Sequence, residues 1–193
     1  MRRILVFSDL HANRQALEDI IPVLQTVDLS VFCGDLLGYG KDIDYCVDFI
    51  LKNVDLVVAG DHERLVTSNE SLERHLPVVR ESTQYTRSKL SVEQIRLISS
   101  LPSEIWYDDL YITHSINDDY LRTEQDFKRM KARMGKDATY AFFGHTHEQV
   151  LVKYQDKTIV NPGSVAKGRR GFHRGYAILR DEEVEFVNLE DFL

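Results

Sequence analysis

Cysteine is nearly missing from this 193-residue sequence: there are two, Cys33 and Cys46. That excludes a disulfide framework and the thiolate-rich zinc sites on which many small proteins depend. Cys33 falls in an apolar run and Cys46 in a helix-like pattern, so both are expected as buried free thiols. With 4 prolines and 10 glycines, no segment reads as low-complexity or as a linker, and no internal repeat is present. Long apolar runs are missing too. Nothing approaches the ~18 residues of a membrane span. Met-Arg-Arg leads through a short apolar stretch straight into Ser8-Asp9, so no secretory signal is expected and a cytoplasmic location is the default. Positive charge is in deficit, 24 Lys and Arg against 31 Asp and Glu for a net charge of −7. An acidic surface repels long nucleic acid. Bound cations would reverse that sign locally. The 43% apolar residues suffice for a core, and one domain over residues 1–193 is expected.

Histidine, by contrast, is placed with a pattern. Five of the seven stand where an apolar run ends, four of them next to or one residue from an acid or another histidine: Asp9-Leu10-His11, Asp61-His62-Glu63, Thr113-His114 and His145-Thr146-His147. Asp35 ends a further run after Cys33-Gly34. Imidazole and carboxylate on rigid strand ends are what a site for divalent metals needs.

The first sixty residues alternate between strand and helix. Strands are expected at 3–7, 29–33 and 55–59, with helices near 13–26 and 43–52. Pro22 should kink or break the first helix. Such alternation predicts parallel strands, and ligands bind beyond their carboxyl ends. Residues 63–100 read as helical, with Ser91 to Gln94 as a capping box. A hairpin over 104–107 and 110–113 should deliver His114, and 123–134 reads as a charged amphipathic helix. Strands are expected at 139–143, 150–154, 158–160, 176–179 and 184–187.

In order, Asp-x-His, Gly-Asp, Gly-Asp-His-Glu, His and Gly-His-Thr-His resemble the signature of the calcineurin-like metallophosphoesterases. Asp9-Leu10-His11-Ala12-Asn13, the Gly34–Gly40 loop, Tyr85–Ser91 and Asn161-Pro162-Gly163-Ser164 are similar to the small bacterial and archaeal phosphodiesterase branch. The resemblance implies a four-layer αββα sandwich of two mixed sheets flanked by helices. It implies two divalent metals, manganese ahead of iron, zinc or nickel. Asp9, His11 and His147 would hold the first metal, His114, His145 and Asp61 the second, and Asp35 both. It also implies hydrolysis of a small phosphoester or nucleotide by a hydroxide bridging metals about 3.5–4 Å apart, a phosphodiester rather than a monoester. His62 and Asn13 would serve the phosphoryl group and the leaving oxygen.

Two positions depart from that pattern. Ser115 stands where the family has glycine, and Asp61 where it has asparagine. An ionised Asp61 would leave the dinuclear centre formally neutral rather than singly positive. It should hold metals more tightly, attract an anionic substrate less and move the rate optimum to higher pH. Alternatively, Asp61 turns away and one metal is weakly held. His75 and His173 lie outside the motifs and read as surface or structural residues. Glu63 reads equally as a support for the ligands or as the start of a helix. Asn161–Ser164 is expected as a supporting loop beside the metals. The basic cluster Lys167, Arg169, Arg170 and Arg174 reads as a solvated loop or an anion-binding rim, with Arg169 and Arg170 as substrate contacts. The rival from another class is a non-catalytic protein-interaction scaffold of the same fold, like the retromer subunit. The sequence is silent on oligomeric state.

Overall fold

Alternation of apolar residues on the strands decides how the layers stack. On β1 (Arg3–Phe7), Leu5 and Phe7 join a cluster with the helices, while Ile4 and Val6 join one between sheets. Residues i and i+2 share a face of a strand, so each strand buries two different surfaces. The computed structural model describes residues 2–190.

The first sheet has the order β10-β9-β1-β2-β3. It comprises β1, β2 (Leu29–Phe32), β3 (Leu56–Val57), β9 (Gly175–Arg180) and β10 (Glu183–Asn188). The segments α1 (Arg14–Leu24) and α2 (Ile43–Asn53) cross over between its parallel strands, while β9 and β10 pair antiparallel. After β3 come α3 (Asp61–Thr67), α4 (Pro77–Lys89) and α5 (Val92–Ser99). The second sheet has the order β4-β5-β6-β8-β7. Its strands are β4 (Glu104–Tyr107), β5 (Leu110–Thr113), β6 (Tyr140–Phe142), β7 (Gln149–Lys153) and β8 (Thr158–Pro162). There β5, β6 and β8 run parallel, and α6 (Glu124–Arg133) lies between β5 and β6 in the chain.

Three apolar clusters make the four layers. Leu17, Ile20, Val47 and Ile50 of α1 and α2 pack on Leu5, Phe7 and Phe32. Val6, Val31 and Leu179 meet Ile112, Phe142 and Val160 between the sheets. Phe127 and Met130 of α6 cover Tyr111, Ala141 and Ile159. Cys33 and Cys46 are buried and free. No helix among the described residues is long and apolar enough to cross a membrane.

The structure corrects the sequence reading at several elements. Pro22 does not break α1, which runs on to Leu24. Pro22 is exposed and lies in the last turn of α1, where one missing N–H donor interrupts little of the helix ladder. Strand β3 spans two residues rather than five. The Asp55 carboxylate instead accepts from Ser30 N–H and Oγ–H, and Ala59 N–H turns to the Pro102 carbonyl. The helical stretch begins at Asp61, so His62 sits on a helix and not in a loop. Ser91 and Gln94 cap α5 reciprocally, as their spacing predicts.

Candidate metal centre

All six parallel strands end on the same edge of the sandwich, and each delivers part of one site. Asp9 and His11 follow β1, Asp35 follows β2, and Asp61 with His62 follow β3. His114 follows β5, His145 and His147 follow β6, and Ser164 follows β8. Asp9, Asp35, His11, His114, His145 and His147 are buried, and the Asp61 side chain is about one-third exposed.

Two groups of ligand atoms result. In the first, atoms of Asp9, His11 and His147 lie within 4.8 Å of one another. In the second, the same holds for Asp35, Asp61, His114 and His145. Asp35 also reaches a third such set with His11 and His62, so its carboxylate stands at both groups. His11 Nδ1 lies 2.9 Å from the Leu37 carbonyl and His147 Nδ1 2.8 Å from that of Lys167. A carbonyl only accepts, so both rings carry a proton on Nδ1, and in their neutral form they present a bare Nε2. These two Nε2 atoms face each other at 3.1 Å, and His147 Nε2 lies 3.1 Å from Asp9 Oδ1. With both rings neutral, three acceptors converge in a buried space and repel unless a proton or a metal cation sits among them. His114 is set the same way, with Nδ1 at 2.7 Å from the Cys33 carbonyl. Its Nε2 lies 3.1 Å from Asp61 Oδ1 and 3.4 Å from Asp35 Oδ2. His145 differs, turning Nδ1 to Asp61 at 2.9 Å. The residues therefore fit a pair of divalent cations.

Electrostatics agree with that fit. Burial alone would raise the Asp9 carboxyl, yet the charge and hydrogen bond of His147 hold it well below the usual range. Burial likewise opposes ionisation of Asp35 and Asp61. The charge of His114 keeps Asp35 low, and hydrogen bonds from His114 and His145 keep Asp61 low. His11 is pushed down to about 4 by burial, against the pull of Asp35. His114 goes the other way: burial lowers it, but Asp35 and Asp61 together raise it well above the ordinary value. Ionised carboxylates around a neutral His11 are the protonation states that ligation requires, whereas His114 would have to release a proton to a bound cation.

Supporting groups hold these loops. Glu63 is both a helix residue and a support: its carboxylate accepts from Gly60, Asp35 and Leu37 N–H at 2.7, 2.9 and 2.8 Å. Burial, and then the charge of Asp35, push the Glu63 carboxyl up to about 7. Asn161 donates to the Gly144 carbonyl at 2.7 Å and to Thr146 Oγ1 at 3.1 Å, bracing the turn that carries His145. Ser164 Oγ donates to the Asp9 carbonyl at 2.8 Å. At Gly60 a Cβ would lie 2.1 Å from Asp35 Oδ1, so any side chain there expels the central carboxylate. At Gly38, with φ of 131°, a Cβ would press on His11 and His62.

Two clefts open beside the centre, of about 440 and about 610 Å³. The smaller lies against Asp35, Asp61, His62 and His145, the larger against His11, Asn13 and His147. The His62 ring stands edge-on to His11, centroids 5.0 Å apart, and its backbone N–H donates to Asp35 Oδ1 at 3.1 Å. Asn13 caps α1, its Oδ1 accepting from Ala16 N–H at 3.1 Å. The two arginines expected together at the rim divide. Arg169 lines both clefts, whereas Arg170 lines neither and lies 3.5 Å from Glu148. His75, read from sequence as a surface residue, lines the smaller cleft beside Glu70. The sequence reading missed Tyr120, whose ring stacks on His145 at 4.3 Å. It sits in a coil without a motif, so no local signal marks it. Tyr39 lies within the Gly34–Gly40 loop, and its ring stands 5.0 Å from those of both His11 and His62.

Residues 1–183 match the model of the calcineurin-like phosphoesterase superfamily domain. An uncharacterised protein of Methanocaldococcus jannaschii is 25% identical over 211 residues, which cover 97% of this chain and 87% of that protein. The structure of a metallophosphoesterase from Sphaerobacter thermophilus superposes with a TM-score of 0.83 at 25% identity, over 99% of this chain and 89% of that one. A novel archaeal phosphodiesterase shares the fold at a TM-score of 0.57 and 18% identity, over 97% and 99% of the two chains. So does vacuolar protein sorting 29 from Cryptosporidium parvum, at 0.60 and 12%, over 96% and 95%.

Proposed function

The chain belongs to the calcineurin-like phosphoesterase superfamily, and from that premise we infer that it hydrolyses a small phosphodiester, with two divalent cations held by Asp9, His11, Asp35, Asp61, His114, His145 and His147. One observation carries the reading: the bare Nε2 atoms of His11 and His147 face each other at 3.1 Å beside Asp9. With both rings neutral, such an arrangement is costly without a cation. When bound, the cations supply Lewis acidity, neutralising charge on the phosphoryl oxygens and making water nucleophilic near neutral pH.

The protein's own groups supply orientation. Imidazole and carboxylate without thiolate suit manganese, with iron, zinc or nickel as substitutes. His62 sits on the first turn of α3 beside Asp35, where its imidazole can hand a proton to a departing oxygen. Arg169 has no carboxylate partner among the described ion pairs and stands between the clefts, available to a phosphate oxygen. The archaeal phosphodiesterase of the same fold supports a diester over a monoester as substrate.

The second reading is a scaffold without catalysis. Its support is the shared fold of vacuolar protein sorting 29, which means that fold alone does not separate the two readings. The test is metal analysis of purified protein, with turnover of generic phosphodiesters and monoesters after reconstitution with Mn²⁺. We expect bound metal, faster diester hydrolysis, and a His62→Ala variant that retains metal but loses at least about 100-fold in kcat, the usual scale for a general acid. Absence of turnover with every divalent metal tried would favour the scaffold.

A further inference from the structure

The two clefts differ in size, charge and position relative to His62, and we propose that they sort the two arms of an asymmetric phosphodiester. The smaller cleft takes the leaving alcohol. The larger takes the arm that stays on phosphorus, a nucleoside 5′-phosphate by its chemistry. This rests on the hydrolase reading above and deepens it.

Three observations assign the arms. First, Tyr39 and Arg169 are the residues common to both clefts. They form the divide beside the metal ligands, so a phosphate at the centre projects one substituent to each side. Second, His62 lines the smaller cleft and not the larger. The bond that breaks is therefore the P–O bond on that side. Water contributes its oxygen to phosphorus, and the departing oxygen leaves as an alcohol with a proton from the His62 side; the proton lost by water restores the balance. Third, the walls differ. In the smaller cleft, away from the divide, Arg64 pairs with Asp118 and His75 hydrogen-bonds to Glu70, while the Asp35 and Asp61 carboxylates stand at its inner end. A wall of satisfied ion pairs gives hydrogen bonds to a polar neutral group and no net attraction for an anion. The larger cleft carries Lys167 and Arg169 with no carboxylate in its lining, and Tyr39, Val78 and Ala166 supply ring and aliphatic surface. Cations with an apolar floor suit a phosphate attached to a flat base, which gains from stacking. At about 610 Å³ the larger cleft falls within the usual range for sites holding ligands of nucleotide size.

The first turn of α4 offers a clean test, because Val78 lines the larger cleft and its neighbour Val79 the smaller. Val78 is 54% exposed, so a larger side chain there leaves the core intact. Two substrates share 4-nitrophenolate as the leaving group: thymidine 5′-(4-nitrophenyl phosphate) and methyl 4-nitrophenyl phosphate. With the Mn²⁺-loaded protein we expect a KM at least about tenfold lower for the thymidine ester, a difference of one strong contact set. Val78→Trp should abolish that preference, whereas Val79→Trp should raise KM for both esters together. A second readout needs no turnover: calorimetric binding of thymidine 5′-phosphate to the same proteins. Val78→Trp and Lys167→Ala should each weaken it by about tenfold, and Val79→Trp by less. If the two valine variants act alike on both substrates and on thymidine 5′-phosphate, the sorting is overturned while hydrolysis stands. If thymidine 5′-phosphate binds in the expected order but no ester is cleaved, the cleft assignment stands and the hydrolase reading fails.

Discussion

At Asp9, His11, Asp35, His145 and His147 the backbone φ lies between 51° and 70°, the left-handed region. Such a conformation costs a residue with a Cβ roughly 1–2 kcal/mol, so five in one site need strong local support. Glu63 provides part of it by gathering three N–H groups from two ligand loops. Glu63→Gln would turn an NH₂ group toward one or more of those donors. We expect a loss of about 1–3 kcal/mol, read as a lower midpoint in urea unfolding. Asp61 is the other decisive residue. Its oxygen lies at 2.9 Å from His145 and 3.1 Å from His114, directed into the centre and not away from it. Asp61→Asn replaces a charged oxygen with a neutral one. Calorimetric titration of the metal-free protein should show the second cation weakened by about 10–100-fold, the scale at which changes around ligands act. Equal affinity in both proteins would remove Asp61 from the ligand set. The motif spacing made legible that these residues cluster. Nothing local marks left-handed backbone at a histidine, because the surrounding fold imposes it.

Among the elements, strands and helices were legible where hydrophobic period and caps agreed. The hairpin β4–β5, the amphipathic α6 and the Ser91–Gln94 cap of α5 follow from spacing alone. Strand β3 was not, since Asp55 and Ala59 leave the ladder for Ser30 and Pro102, partners distant in sequence. Pro22 shows the same limit. A proline inside a helical pattern predicts a break, but exposure and nearness to the helix end make it tolerable. Pro22→Ala restores one backbone hydrogen bond without disturbing the buried face of Ala16, Leu17 and Ile20. Thermal unfolding should show a gain of about 1 kcal/mol, part of the interior proline penalty of about 3 kcal/mol, since the change also frees the unfolded chain. A decrease would mean that Pro22 packs against a neighbour needed for α1.

Across the whole molecule the centre joins the two sheets. Asp9, His11, Asp35 and Asp61 come from the first sheet, and His114, His145 and His147 from the second. Cations held there would cross-link the sandwich at one edge and relieve repulsion among converging acceptors. At a hundredfold excess over Kd each site should add about 2.7 kcal/mol, or roughly 5–10 °C in Tm for a chain of this size. Differential scanning calorimetry with and without chelator checks this, and equal Tm values would argue against metals bridging the sheets. The sequence by itself determined which residues meet: strand-end histidines and aspartates in a fixed order, without thiolates, form a candidate metal site on a parallel-stranded scaffold. That information is local, carried by residue type and period. Only the tertiary structure decided how the site is shaped. Tyr120 on His145, Arg169 apart from Arg170, His75 in a cleft and Val78 facing away from Val79 arise where segments far apart in the chain pack together. Such pairings follow from the closing of the two sheets, which no local pattern records.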